Sequence, residues 1–202
     1  MTALAILGIA PLAERWVAGG LGAGAISHLD YGFKLFAIPS TLFDASVAGV
    51  LQAHWARRHY GGTASILASV QKLVLGALML SLVIAVSCWI ERETLVTVML
   101  QRGAFGAQDS RVVASLFGLL MLGFPTGMAA LILERGYMAI QATRFLMLVA
   151  IVKIVVRLST AIIGGARFGV TGIALAQPIS SVIDLALLAI FWRRALRGVS
   201  TA

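Results

Sequence analysis

The residues whose types point to chemistry are charged side chains set inside apolar helical runs. In ISHLDYGFKLFAIP, residues 26–39, Asp30 and Lys34 stand one helical turn apart and Pro39 follows. In LVAIVKIVVRLSTAIIGG, residues 148–165, Lys153 and Arg157 repeat the spacing, and Asp184 follows in PISSVIDLALL. Ionisable residues in such segments usually face a bundle interior or a water-filled cavity. With about 100° per residue, Ser27, Asp30, Lys34, Thr41 and Asp44 fall on one stripe. That stripe reads as the lining of a hydrated cavity, with a self-neutralising Asp30–Lys34 pair as the structural alternative. Lys153 and Arg157 repel each other, so something anionic must face them. An acid on another helix would serve, and Asp184, on a face with Gln177 and Ser181, is the candidate. A charged ligand would serve equally, and the spacing leaves both readings open.

Other chemistry is absent from the sequence. His28, His54 and His59 have no ligand spacing with Cys88 or with acids, so no metal site is expected. There is no nucleophile elbow, P-loop or HExxH, and GGLGAG lacks the Lys-Ser/Thr of a phosphate loop. No cofactor and no enzymatic activity are expected. The single cysteine reads as a small core hydrophobe.

The elements that must position these charges follow from composition. The chain has 202 residues, 60% hydrophobic and 12% charged, with a mean hydropathy of +0.97. A soluble domain of that size could not hide so much apolar surface, so the class is all-α polytopic membrane protein. At roughly 20 residues per crossing, about six transmembrane helices fit. The expected segments are residues 3–21, 25–55, 65–100, 112–133, 145–163 and 173–192, with bends at Pro39 and Pro125. Residues 1–202 read as a single six-helix unit whose first helix is expected to begin upstream of Met1. The opening lacks a basic n-region, so a cleaved signal peptide is not expected. Asp109 or Ser110 is expected to cap segment 4. Gly123 and Gly127, and Gly169 and Gly172, have the spacing that lets helix backbones approach closely.

The net charge is +8. No basic run interleaves with aromatics, so nucleic acid is excluded as a partner. The bases sort instead by side. Arg57, Arg58, Lys72, Arg135, Arg144, Arg193, Arg194 and Arg197 fall on one side, and Arg15, Arg92, Arg102, Arg111 and Arg167 on the other. The positive-inside bias then favours both termini in the cytoplasm.

Three motifs in register resemble one family. AERWVAGGLGAGAISHLDYGFKLFAIP is similar to the start of the second half of MurJ/MviN-type lipid II flippases, matching at Ser27, Leu29, Tyr31, Leu35 and Pro39. LQRGAFGAQDS resembles that family's Gly-Arg-Gly-Ala-Phe turn, through Arg102, Gly103, Ala104, Phe105 and Asp109. GVTGIALAQPIS resembles its glycine-rich start of the last helix. The resemblance implies one lobe of a two-lobe flippase in the bacterial cytoplasmic (inner) membrane, within the multidrug/oligosaccharidyl-lipid/polysaccharide exporter superfamily.

By that resemblance the chain helps move an undecaprenyl-pyrophosphate-linked peptidoglycan precursor by alternating access. Lys34, Lys153 and Arg157 would attract the pyrophosphate, and Asp30, Asp44 and Asp184 would balance them. The implied partners are the lipid-linked pyrophosphate glycolipid and a missing first lobe, on the same or a separate chain, or a second copy. The chain departs from the family pattern in carrying Lys34 where an Arg is usual, and Lys153 and Arg157 where two Asn are common. A flippase for another lipid-linked polysaccharide, a multidrug extruder half and a non-transporting membrane scaffold are the competing readings.

Overall fold

The computed structural model describes residues 2–22, 24–58, 63–103, 105–139 and 143–199, with side chains over 11–22, 24–47, 70–103, 105–138 and 144–192. The described residues form nine helices and no strand. They are α1 (Thr2–Gly19), α2 (Ala25–Arg58), α3 (Thr63–Ile90), α4 (Arg92–Leu100), α5 (Ala107–Leu122), α6 (Phe124–Ala139), α7 (Thr143–Phe168), α8 (Val170–Ala174) and α9 (Ala176–Val199). Helices satisfy every backbone group within one segment, which a lipid interior demands. By length and composition, residues 70–90, 144–168 and 170–192 can each cross a membrane. The pair α5 and α6, bent by 43°, supplies a fourth span if counted as one. The expectation of six is not reached by that measure; α1 and α2, which hold Glu14, Arg15, Asp30, Lys34 and Asp44, fall outside it.

Two expected continuous segments are broken. The third does not run through to residue 100: α3 ends at Ile90, and α4 starts after Glu91. Arg92 folds back there, its guanidinium donating to the Trp89 carbonyl at 2.8 Å and lying 4.5 Å from the Trp89 ring centroid. The fourth breaks at Gly123, with Pro125 in the first turn of the helix that follows. Pro39 sits inside an uninterrupted α2. The cap of α5 is Gly106 rather than Asp109 or Ser110. Asp109 lies three residues further on, where its carboxylate accepts from the Gly106 N–H at 3.1 Å. A carboxylate in the first turn satisfies an orphan donor and complements the helix dipole.

Three apolar clusters hold the helices together. Phe124 at the start of α6 meets Phe36 and Phe43 of α2 edge-on, with centroids 6.1 and 6.2 Å away. Leu29, Leu116, Leu120, Ala161 and Ile173 join α2, α5, α7 and α8. Val70, Tyr137, Val149, Leu188 and Trp192 join α3, α6, α7 and α9. There the buried Tyr137 hydroxyl donates to the Leu188 carbonyl at 2.7 Å. Leu75, Val83, Ile151, Val155 and Ile163 stay exposed, as lipid-facing residues do.

Glycines set close approaches at Gly123 and Gly172, two of the four that spacing singled out; Gly127 meets nothing nearer than 3.9 Å, Gly169 nothing within 4 Å, and the partner of Gly172 is Gly164. A Cβ on Gly164 would lie 2.6 Å from the Gly172 carbonyl oxygen, and one on Gly123 would lie 2.6 Å from the Pro178 Cα. Both obstacles are backbone, so neither yields easily. Small residues at such crossings give dispersion contact where lipid removes any hydrophobic drive. Gly164→Ala is therefore expected to lower the unfolding midpoint in detergent, by about 1–3 kcal/mol for an overpacked site. Gly76→Ala, where a Cβ meets nothing within 4 Å, should leave it unchanged. Equal midpoints for the two variants would contradict the close α7–α8 crossing.

Candidate functional site

Helices α1, α2 and α7 enclose an open cavity of about 280 Å³. Glu14, Arg15, Asp30, Phe33, Lys34 and Arg157 line it. Glu14 is 1% exposed. A lone carboxylate so deeply buried would be very costly, and here it is met by Arg157. The guanidinium Nε and Nη2 donate to Glu14 Oε1 and Oε2 at 2.5 and 3.0 Å. Only arginine presents two donors in that planar fork. Its Cζ also lies 5.8 Å from the Phe33 ring centroid. Near the rim, Arg15 Nε donates to Asp30 Oδ1 at 2.9 Å.

Lys34 stands apart from these pairs. It is exposed to the cavity, its Nζ lies 5.2 Å from the Tyr31 ring centroid, and no carboxylate among the described residues pairs with it. The cavity therefore holds one cation without a counter-ion.

A second group of charges ties α6, α7, α9 and α2. Lys153 of α7 donates to Asp184 of α9, and Glu134 of α6 lies 3.8 Å from the same ammonium. Arg135, also on α6, donates to Asp44 of α2 at 3.1 Å. Alongside, Thr126 and Ser181 hydroxyls share a hydrogen bond of 2.8 Å between α6 and α9.

The structure thus brings Asp30, Lys34 and Arg157 together at the cavity. Lys153, Asp44 and Asp184 sit in the second group instead. The Asp30–Lys34 self-pair does not form, because Arg15 takes Asp30. Of the two anions weighed for α7, Asp184 meets Lys153, whereas Arg157 meets Glu14. Four charged partners, Glu14, Arg15, Glu134 and Arg135, went unassigned in the sequence. Glu14 and Arg15 interrupt an apolar run in α1 and belong to the AERW stretch that resembles the family. Arg135, counted among loop charges, lies within α6. His28 also has a partner that no spacing reveals: its Nε2 is 2.9 Å from Asp109 Oδ1, across 81 positions of sequence. The side chain of His54, and all of His59, lie outside the described residues.

Two charges bound to each other in a low-dielectric interior depend on each other. Glu14→Leu alone should destabilise the protein by about 3–5 kcal/mol, because it strands Arg157. Adding Arg157→Met should recover most of that loss. Chemical denaturation in a fixed detergent would read both. Additive losses in the double variant would show that the two side chains do not act as a pair.

A family model described as "Lipid II flippase MurJ" matches residues 1–202. The chain is 27% identical over 162 residues to "Probable lipid II flippase MurJ" of Rhizobium tropici, covering 80% of this chain and 30% of that protein. It is 28% identical over 173 residues to the protein of the same name in Rhizobium meliloti (strain 1021), covering 84% and 32%. The chain thus spans about a third of the length of these relatives. In three dimensions it is similar to "Lipid II flippase MurJ, inward closed conformation", with a TM-score of 0.84 at 19% identity over 99% of this chain and 43% of that one. The structural likeness carries the helical fold, and the family match, which runs the full length of the sequence, carries the assignment: the chain belongs to the lipid II flippase MurJ family.

Proposed function

We propose that the chain is one lobe of a transporter that moves an undecaprenyl-pyrophosphate-linked peptidoglycan precursor across the bacterial inner membrane. It acts by alternating access and performs no covalent chemistry. The observation that carries this reading is Lys34. Within the cavity of α1, α2 and α7, Arg157 and Arg15 are already neutralised by Glu14 and Asp30, while Lys34 is not. An unpaired ammonium on a membrane-embedded cavity wall draws an anion, and a pyrophosphate is the anion that a lipid II-type substrate offers. Lysine meets it as a point charge, without the paired geometry of a guanidinium.

Arg157 and Lys153 serve this reading in two ways. Held by Glu14 and Asp184, they keep α7 in place while the cavity is empty. An arriving pyrophosphate would compete with those carboxylates and loosen α7 from α1 and α9. Asp44, through Arg135, holds α2 to α6 in the same manner. Pro39 and Pro125 give α2 and α6 places to flex as the lobe changes packing.

The rest of the transporter is the first lobe, supplied by the same chain, a separate chain or a second copy. The greater basic count on one side supports a reading with both termini in the cytoplasm. The test uses the complete transporter in vesicles, with flipping of a fluorescent lipid-linked pyrophosphate as readout. Lys34→Ala should slow flipping at least roughly ten-fold, as loss of a hydrogen bond to a charged group implies. Lys34→Arg should retain most of it. Flipping by Lys34→Ala at the parental rate would overturn the assignment of the cavity.

A further inference from the structure

On another face of the bundle, α2, α3 and α6 form a groove of about 230 Å³. Its walls are Phe43 and Val47 of α2 and the stripe Leu73, Gly76, Ala77 and Leu80 of α3; its floor is Ile132 of α6, 2% exposed. Gly76 keeps it open, since a Cβ there would meet nothing within 4 Å. The lining is apolar except at one end. There Lys72 stands directly before the uncharged run of residues 73–90. Ser46 also lines the groove, but its hydroxyl donates to the Leu42 carbonyl of its own helix at 2.7 Å.

Lys72 is exposed, and no carboxylate among the described residues pairs with it. It lies at the end of the groove nearest the connection between α2 and α3, where α2 closes on Arg57 and Arg58. A lysine at this depth extends its ammonium toward the headgroup layer while its stem lies along apolar surface. The basic count on this side makes it the cytoplasmic face, and that leaflet carries the anionic lipids.

We infer that this groove is a seat for one anionic phospholipid. The phosphate rests on Lys72, and one acyl chain runs along Gly76, Ala77 and Leu80 over Ile132. The match is one of charge and of shape together. A cation at the membrane boundary meets the headgroup, and a dry trough of chain width continues from it into the bilayer. The seat is distinct from the cavity of α1, α2 and α7. A lipid bound here lies between α2 and α3 and adds to the apolar packing of Phe43, Val47, Leu73 and Ala77.

Native mass spectrometry of the purified 202-residue chain, released from mixed micelles of phosphatidylglycerol and phosphatidylcholine, tests the inference. Phosphatidylglycerol should be retained preferentially. Lys72→Gln should lower its retention roughly five-fold, the weight of one basic residue at an anionic surface. Gly76→Leu, whose Cβ meets nothing within 4 Å and whose remaining side chain enters the trough, should lower it while leaving Lys72 in place. Lys72→Arg should bind as the parent does. Equal retention of the two lipids, or parental retention in either the Gln or the Leu variant, would overturn the seat. So would displacement of phosphatidylglycerol by an equimolar polyprenyl pyrophosphate, which would make the groove part of the substrate path. Crosslinking from Gly76→Cys to protein in place of lipid would make it a helix-docking surface and overturn the lipid seat too.

Discussion

A buried carboxylate and a largely buried guanidinium hold the first helix to the seventh. Glu14 and Arg157 meet through two hydrogen bonds at a site where neither ion is tolerable alone. Three further pairs obey the same constraint. Arg15 takes Asp30, Arg135 takes Asp44, and Lys153 takes Asp184 with Glu134 close by. Each pair bridges two helices, so charge neutralisation and helix arrangement are one problem with one solution. In water such pairs would contribute little. Inside a bilayer the alternative is an uncompensated ion, and the pairing becomes a specification of which helices lie together.

That economy makes the exception informative. Once four carboxylates are committed to four bases, Lys34 remains in the cavity with no protein acid of its own, and Glu134 shares a lysine already held by Asp184. The cavity is consequently electropositive at one place. An anionic ligand there would complete a pattern that the protein completes for itself elsewhere. Under the proposed function it would also compete for Arg157, and binding would then be coupled to helix arrangement through the same interaction.

Close backbone approach is the second constraint, and it works at the other end of the size scale. Gly164 against Gly172, and Gly123 against Pro178, bring α8 and α9 against α7 and the α5–α6 break. This proximity lets Thr126 reach Ser181 and positions Asp184 under Lys153. The charged pairs select partners, and the glycines permit the distances at which the pairs can form.

Composition alone determined the class: so much apolar length has no stable home outside a membrane, and its period is helical. Helical spacing alone also singled out Asp30, Lys34, Asp44, Lys153, Arg157 and Asp184 as candidates, because a charge in an apolar run is costly wherever it points. The three family motifs lay in the sequence for the same reason, being local and in register. Which charges meet was decided only by the tertiary structure. Asp30 lies one turn from Lys34 yet pairs with Arg15, and Arg157 finds Glu14 across 143 positions of sequence. Ion pairing depends on distance in space, to which sequence separation is a poor guide once helices cross. The break at Gly123 was hidden for a related reason. It lies in an uncharged run whose composition suits a continuous helix, and the backbone there meets Pro178 of a distant helix. At Glu91 the charged Glu91, Arg92 and Glu93 already read as a helix end.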